Sequence, residues 1–415
     1  MTTCITGTGL FIPPYSISNE ELVESFNQYV ENYNEQHADE IESDTVVALQ
    51  PSSAEFIEKV SGIKSRYVME KDGILNPEIM APVIAYRNLG EELSVMAEMG
   101  VAALEDALKD AGLEANDLDG IILACSNFQR TYPAVAIEIQ NAIGMVGGFA
   151  YDMNVACSAA TFGLSQAHGS IVSGLAKRIA VVNVEITSAH LNWRNRDSHF
   201  IFGDVATASI VEELDTPKGY EILNSKLFTQ FSTNIKNEYG FMDRSEFLAA
   251  ETQMYPDLQE PVTDKLFLQN GRKVFREVCP KVSEVITEHL TENKIPATDV
   301  KMMWLHQANA NMLDLILRTV MGKEADKSIV PSVIAEFANT SSASPMIVFH
   351  RHKDDLQSGD LGVICSFGAG YSIGSVLVLS LINISEPTRQ EDISYAVLGL
   401  NTKHMKLTAS KRNNI

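Results

Sequence analysis

Cysteines, basic residues and long apolar runs are all scarce in this 415-residue sequence. Five scattered cysteines fit neither a disulfide framework nor a zinc site with paired ligand spacing. The sequence contains no apolar run of about 18 residues, so no membrane-spanning helix or membrane association is expected. The first ten residues lack the pattern of a secretory signal, and reduced cysteines are typical of a cytoplasmic protein.

The shortage of basic residues also limits the range of partners. The sequence has 32 Lys and Arg against 54 Asp and Glu, which gives a formal net charge of −22. A phosphate backbone would be repelled by this charge, so binding to nucleic acid is not expected. An acidic protein partner could dock only where Lys and Arg cluster locally.

Hydrophobic residues make up 45% of the chain, enough for a large core. Apolar periodicity predicts a helix over residues 91–111, followed by a buried strand over 120–125. The same succession recurs as a helix over 274–290 and a strand over 302–305, and this repeat favours a duplicated α/β architecture. Further strands are predicted at Ile179–Val184, Ala206–Val211, Leu361–Ser366 and Ile373–Val378.

Cys157 is the first candidate for chemistry, because small residues follow it and begin a helical stretch. A thiol at a helix N-terminus faces the positive end of the macrodipole and is expected to gain thiolate character. A lone cysteine is equally compatible with an inert, buried position in the core.

Three further segments contain candidate functional groups. His306 follows a predicted strand, at the sheet edge where α/β folds place their sites. Asn339 lies in a turn of small polar residues that precedes a helix. Residues 366–370 form a glycine-rich turn whose N–H groups could face a developing oxyanion. Each segment taken alone also has a purely structural interpretation.

Together and in this order, these segments resemble the β-ketoacyl-ACP synthase III family. The resemblance rests on the sequence around Cys157, on His306-Gln307-Ala308-Asn309, on residues 339–344 and on the loop 366–370. Other segments also resemble the family: Ile5–Gly9, Gly62–Arg66, Phe202–Asp204 and Asn270–Phe275. The similarity covers nearly all of residues 1–378.

The resemblance implies a thiolase-like α/β fold, in which two βαβαβαββ halves form a five-layered α-β-α-β-α sandwich. Residues 1–215 would form the half with the nucleophilic cysteine, and residues 216–378 the half with the histidine and asparagine. It also implies a homodimer, with acyl-CoA and an acyl carrier protein as partners and with no metal or bound cofactor.

The family roles map onto individual residues of this sequence. Cys157 would attack an acyl thioester, and its own N–H together with one N–H from Gly368, Ala369 or Gly370 would bind the oxyanion. A malonyl thioester would then lose carbon dioxide, and His306 and Asn339 would donate hydrogen bonds to the enolate. The resemblance assigns substrate binding to four residues: Phe56, Arg66, Phe202 and Asn309.

The sequence departs from the family pattern at several positions. Phe56 stands where the family usually has an adenine-stacking tryptophan, Ala369 replaces a glycine, and Val205 follows the Gly203-Asp204 pair. Additional residues fall around 27–50 and 235–262 and could reshape the acyl tunnel. We therefore expect a medium-chain primer, as in the longer relatives that make β-ketodecanoyl-ACP.

Alternative activities stay open at this stage. A thiolase would need a second cysteine as base, and Cys365 is in the wrong sequence context. A 3-hydroxy-3-methylglutaryl-CoA synthase needs an upstream glutamate, of which Glu138 is the nearest. Chalcone-type synthases match less well. Condensation with a non-malonyl partner, a silent partner subunit and a cysteine protease are the other hypotheses.

The C-terminal residues differ from the rest of the chain. The segment Leu379–Gln390 resembles the translation of a sequencing adapter, and the sequence up to Ile415 has no sustained helical or strand period. We interpret residues 379–415 as a non-native or disordered tail and assign no function to them.

Overall fold

The computed structural model describes residues 2–85, 87–238 and 266–382. The predicted tail, 379–415, therefore lies outside the described residues from residue 383 onwards, and residues 379 and 380 belong to the last strand. Most of the additional segment around 235–262 also lies outside them.

The first half of the chain alternates strands and helices in the predicted βαβαβαββ order, with one insertion after the first strand. Its elements are β1 (Thr2–Phe11), the inserted β2 (Tyr15–Ser18), α1 (Asn19–Gln36), α2 (Ala38–Glu42), α3 (Ala54–Ser61) and β3 (Ser65–Val68), then α4 (Val95–Ala111), β4 (Gly120–Cys125), α5 (Val135–Ala142), β5 (Phe149–Asn154), α6 (Ala159–Val172), β6 (Arg178–Glu185) and β7 (Val205–Leu214).

The second half follows the same order less completely. Its elements are β8 (Tyr220–Ser232), β9 (Ile235–Lys236), β10 (Leu268–Gln269), α7 (Gly271–Glu292), β11 (Val300–Leu305), α8 (Ala310–Met321), α9 (Ile334–Phe337), α10 (Ser344–His352), β12 (Leu361–Gly368) and β13 (Gly370–Ser380). Between α8 and α10 the chain forms two 3₁₀ turns and the one-turn helix α9, where the repeated pattern predicts a strand.

Nine strands form one mixed sheet, in the order β11-β12-β13-β8-β1-β7-β6-β4-β5. In the first half β4 runs parallel to β5 and β6, and in the second half β11 runs parallel to β12. The two halves join where β1 meets β8, through the pairs Cys4–Glu221 and Ile5–Tyr220. The carboxyl ends of β5 and β11 lead directly into the candidate site.

Helices cover both parts of the sheet and also separate them. Helices α6 and α10 contact strands of both halves and share one buried cluster with Ile122 of β4 and Trp304 of β11. Helices α4 and α5 pack on the outer face of the first half, and α7 and α8 on that of the second half. This succession of layers agrees with the expected α-β-α-β-α sandwich.

Local signals explain the element boundaries. Ser18 and Glu21 form a capping box at the start of α1. Helix α4 begins at Val95 rather than at residue 91, because the Ser94 side chain accepts the Ala97 N–H as N-cap. No helix among the described residues is long and apolar enough to cross a membrane.

Candidate active site

Cys157 lies in a 3₁₀ turn, Ala156–Ser158, between β5 and α6. Ala156 has φ 47°, a left-handed conformation that is uncommon for a residue with a Cβ and that often occurs at functional sites. The Ser158 hydroxyl donates to the Ser372 carbonyl at 2.8 Å. This bond ties the cysteine turn of the first half to the β12–β13 hairpin of the second.

The surroundings of Cys157 favour the neutral thiol. Burial raises its pKa to about 11, and neighbouring Glu185 adds to the rise. The Ser341 hydroxyl donates to Sγ at 3.4 Å, and the N–H groups of Ala369 and of Cys157 itself lower the pKa by smaller amounts. Desolvation therefore opposes the thiolate character expected from the helix N-terminus, and its effect on the pKa exceeds that of the nearby donors.

The oxyanion loop lies directly against the cysteine. A Cβ added to Gly368 would lie 2.5 Å from Cβ and 3.0 Å from Sγ of Cys157, so this position requires glycine. The Ala369 N–H hydrogen-bonds the sulfur, and Ala369 and Gly370 both line a second, separate cavity. Of the three residues predicted for the oxyanion hole, Ala369 therefore presents the N–H.

His306 stands at the end of β11 and is 2% exposed. Its N–H donates to the Cys365 carbonyl at 2.8 Å, and its ring packs edge-on against Phe367. Nδ1 lies 2.6 Å from the Ser344 hydroxyl, and the Ser341 backbone also hydrogen-bonds the ring. Burial lowers the pKa of His306 to about 4, so the imidazole is neutral.

Asn339 lies between α9 and α10, with left-handed residues on either side: Ala338 has φ 55° and Ser341 has φ 49°. Its N–H donates to the Ile201 carbonyl at 3.0 Å, and its carbonyl accepts the Gly203 N–H at 3.2 Å. Its Oδ1 accepts the Ser341 N–H at 2.9 Å. Because Oδ1 is bound in this way, the Nδ2 amide is left to donate into the pocket.

These three side chains line one pocket of about 550 Å³. The size is within the range of small-molecule sites. Most of its wall is apolar or aromatic, with contributions from Ile63, Phe200, Ile201, Phe267, Phe275 and Val278. The fold thus brings together all three predicted catalytic residues, from both halves of the chain.

Of the four predicted substrate-binding residues, two line the pocket: Phe202 and Asn309. Phe56 does not line it but packs edge-on against Phe200, which does, and its ring lies 4.5 Å from the Arg196 guanidinium. The prediction for Arg66 is wrong. This side chain is fully buried and donates to the Ile17 and Phe200 carbonyls, so it holds the structure together and cannot reach a substrate.

Sequence reasoning missed a second layer of residues around the site. The Ser341 hydroxyl contacts Cys157, and the Ser344 hydroxyl contacts His306. Glu185, at the end of β6, is 1% exposed and accepts hydrogen bonds from Ser126 and Ser342. Serines are too common for the sequence to single these out, and a glutamate that ends a buried strand is the one visible signal.

The comparisons with known proteins agree with this geometry. The family model for 3-oxoacyl-[acyl-carrier-protein] synthase III matches residues 151–230, and the model for its C-terminal part matches residues 290–379. The chain is 51% identical over 359 residues to the β-ketodecanoyl-[acyl-carrier-protein] synthase of Pseudomonas aeruginosa, which covers 86% of this chain and 99% of that protein. The chain belongs to the β-ketoacyl-ACP synthase III family.

More distant members of the family show the same relation. The β-ketoacyl-[acyl-carrier-protein] synthase III of Ehrlichia canis is 31% identical, over 71% of this chain and 87% of its own. The crystal structure of the Aquifex aeolicus synthase III superposes with a TM-score of 0.70 at 24% identity, over 91% of this chain and 99% of that one. The chain is accordingly an acyl-transferring condensing enzyme of fatty acid biosynthesis with a thiolase-type fold.

The geometry also bears on the alternative activities. Cys365 is fully buried in the cluster on the outer face of the second half and does not line the pocket, so it is not placed to act as a thiolase base. Glu138 accepts hydrogen bonds from Ser94 and pairs with Arg130, away from Cys157.

Proposed function

We propose that this enzyme transfers a medium-chain acyl group from coenzyme A to Cys157 and condenses it with malonyl-ACP to give 3-oxoacyl-ACP. The observation that carries the proposal is the convergence of a thiol, a neutral imidazole and an amide donor on one largely apolar pocket. A thiol nucleophile beside a proton acceptor is the arrangement that covalent catalysis needs.

In the first half-reaction the Cys157 proton passes to His306 while Sγ attacks the thioester carbon. The N–H groups of Cys157 and Ala369, which face the sulfur, stabilise the oxyanion of the tetrahedral intermediate. The carbon–sulfur bond of the substrate then breaks. Coenzyme A leaves as a thiolate and takes a proton from solvent, and the acyl group remains on Cys157.

In the second half-reaction the bond from the malonyl methylene to its carboxylate breaks, and carbon dioxide leaves. The resulting enolate oxygen accepts hydrogen bonds from Asn339 Nδ2 and from protonated His306. The enolate carbon attacks the acyl-cysteine, and the released Cys157 thiolate recovers its proton from His306. The net reaction consumes one solvent proton, which ends on coenzyme A.

The apolar wall of the pocket supports a primer of medium length. An octanoyl group has six more methylenes than an acetyl group, and each buried methylene contributes about 0.8 kcal/mol. Full burial of all six would therefore favour octanoyl by up to about 5 kcal/mol. The 51% identity to a β-ketodecanoyl synthase points the same way, since an octanoyl primer gives a ten-carbon product.

Intact mass spectrometry with acetyl-, octanoyl- and dodecanoyl-CoA tests the proposal. We expect an octanoyl adduct on Cys157 that forms fastest, no adduct in the Cys157→Ala variant, and release of the octanoyl group as a ten-carbon 3-oxoacyl product on addition of malonyl-ACP. Exclusive use of acetyl-CoA would contradict the medium-chain assignment. Absence of any adduct on Cys157 would contradict the acyl transfer itself.

We infer that the start of α7 receives the carrier protein. Arg272, Lys273 and Arg276 lie in its first two turns, and Gly271 and Arg272 line the mouth of the pocket. This is the local basic cluster that an acidic partner needs on a protein of net charge −22.

Arg276→Glu should raise the KM for malonyl-ACP without slowing acylation by octanoyl-CoA, whereas Lys109→Glu on α4 should change neither. If the two variants have the same KM for malonyl-ACP, the start of α7 is not the surface that binds the carrier protein.

The pair formed by Phe56 and Arg196 fits the adenine of coenzyme A. An aromatic face and a guanidinium plane at one place offer two surfaces on which a base can stack. Phe56→Ala should raise the KM for octanoyl-CoA more than that for octanoyl-pantetheine, which lacks the nucleotide. Equal changes for the two substrates would remove Phe56 from nucleotide binding.

We infer a cytoplasmic location, which fits the five free cysteines. We also infer a homodimer that forms along β5. β5 ends the sheet, so one of its edges has no partner strand within the described residues. Exposed apolar side chains lie on the turn after α5 and on β8, where Val146 is 86% and Phe231 89% exposed. Light scattering should give the dimer mass for the wild type and a shift towards monomer for Phe231→Glu; a monomeric wild type would refute the dimer.

A further inference from the structure

The hydroxyl of Ser344 stands at the centre of a closed set of hydrogen bonds around His306. It lies 2.6 Å from His306 Nδ1, accepts the Gln307 N–H at 3.0 Å and lies 2.9 Å from the Ser341 carbonyl. Ser344 is fully buried and Ser341 is 2% exposed, so water does not complete the set. The donors and acceptors must therefore balance among these groups themselves.

A serine hydroxyl has one hydrogen, and this fixes the direction of each bond. If Ser344 donated to Nδ1, its oxygen and the Ser341 carbonyl would face each other without a proton between them. An unsatisfied acceptor in such a buried place is unfavourable, because it loses its hydrogen bonds to water without replacement. If Ser344 donates to the carbonyl instead, Nδ1 must carry the proton that it shares with the hydroxyl. The second arrangement satisfies every group.

We propose that Ser344 is a positioning residue that holds the proton of neutral His306 on Nδ1, so that Nε2 faces the pocket as a hydrogen-bond acceptor. Nε2 can then take the proton of Cys157 directly. It becomes a donor to the enolate only while it keeps that proton, whereas Asn339 Nδ2 is a donor at every stage. This consequence rests on the proposed function; the tautomer itself does not.

The fold contains a matched control for this arrangement. His289 of α7 and Ser375 of β13 form a second buried pair, with Nδ1 2.9 Å from the hydroxyl. Neither residue lines the pocket that contains Cys157. Removing the Ser375 hydroxyl therefore makes the same chemical change beside the same type of ring, but at a place outside the substrate pocket.

Nitrogen-15 NMR of histidine-labelled free enzyme tests the tautomer without any substrate. The His306 resonances are identified by their loss in His306→Gln. We expect a protonated Nδ1 and an unprotonated Nε2 in the wild type at pH 7, and a gain of the Nε2–H form in Ser344→Ala. Ser375→Ala should leave the His306 signals unchanged. An unprotonated Nδ1 in the wild type would overturn the proposal, whatever the variants do.

Single-turnover acylation by octanoyl-CoA tests the consequence. We expect Ser344→Ala to lower the acylation rate at least tenfold with little change in the KM for octanoyl-CoA, Ser344→Thr to restore most of the rate, and Ser375→Ala to match the wild type. A full rate in Ser344→Ala together with a changed tautomer would refute the positioning role. If no variant, including the wild type, accepts an acyl group while the NMR result holds, the proposed function fails and the tautomer assignment stands.

Discussion

Two histidine–serine pairs in the second half of the chain have the same chemistry and different surroundings. In both pairs Nδ1 faces a buried hydroxyl, and in both burial lowers the histidine pKa to about 4. Among the residues that the structure describes, none hydrogen-bonds the buried Nε2 of His289, whereas His306 lines the same pocket as Cys157. The two pairs therefore differ in what surrounds the second ring nitrogen, and we expect this difference to decide which pair takes part in catalysis.

Replacing each histidine by glutamine separates the two pairs most strongly. His306→Gln should lower the rate of acylation by octanoyl-CoA by about 10²–10⁴, because general-base catalysis contributes a factor of that size. His289→Gln should leave the rate within about twofold of the wild type, since it does not touch the pocket. Stopped-flow acylation measures both. Similar losses in the two variants would show that the His306 effect is structural.

The next largest effect should come from the contact between Cys157 and the oxyanion loop. Gly368→Ala places a methyl group 3.0 Å from Sγ and displaces the neighbouring Ala369 N–H. We expect acylation to slow by about 10²–10³, the usual loss when one oxyanion donor is removed. Gly169→Ala is the control, since a Cβ there meets nothing within 4 Å, and it should keep full activity. An active Gly368→Ala enzyme would exclude the loop as oxyanion hole.

The neutral thiol predicts a definite pH dependence. The Cys157 pKa, about 11, lies well above neutrality, and the thiolate is the reactive form. Alkylation of the free enzyme by iodoacetamide should therefore rise about tenfold per pH unit between pH 7 and 10. His306→Gln should show the same slope, because the imidazole is already neutral in this range. A plateau near pH 7 would mean a resting thiolate and would remove the need for a base.

The smallest effect concerns Glu185. Its carboxylate accepts hydrogen bonds from loops of both halves, close to the candidate catalytic residues. Glu185→Gln keeps the size but turns one acceptor into a donor facing the donors of Ser126 and Ser342. The loss should be about 1–3 kcal/mol in the free energy of unfolding. Urea denaturation measures it.

The same variant should show a pH signature. Burial raises the Glu185 pKa from the ordinary 4.5 to about 7, so the folded state binds its proton more tightly than the unfolded state. The associated stability is complete below about 4.5 and is lost as the pH rises through 7. The glutamine variant lacks this contribution, so its deficit should shrink as the pH rises. If the difference in the free energy of unfolding between the variant and the wild type does not change with pH, the effect comes from packing alone.

Much of the fold could be predicted from local patterns. The buried strand at residues 120–125 and the repeat of helix and strand in the second half are confirmed. These signals are local, since they depend on side-chain period. The missing strand before α10 and the later start of α4 were not predicted, because such boundaries are decided by contacts made elsewhere.

The candidate site was also predicted only in part. Family resemblance identified Cys157, His306 and Asn339, and the fold brings them into one pocket. It failed for Arg66, because an arginine in a family-like segment can also donate to buried carbonyls, as this one does. The thiolate expectation did not allow for desolvation, because helix position is visible in the sequence, whereas burial by distant segments is not.

The sequence by itself determined the succession of strands and helices, the family and the three candidate catalytic side chains, because these follow from residue types and their spacing. Only the tertiary structure decided the protonation of those side chains. Ser344, Ser341 and Glu185 reach the site from other turns and strands, and burial by both halves sets the pKa of Cys157 and of His306. Proton positions depend on three-dimensional neighbours and on the exclusion of water, which no linear pattern records.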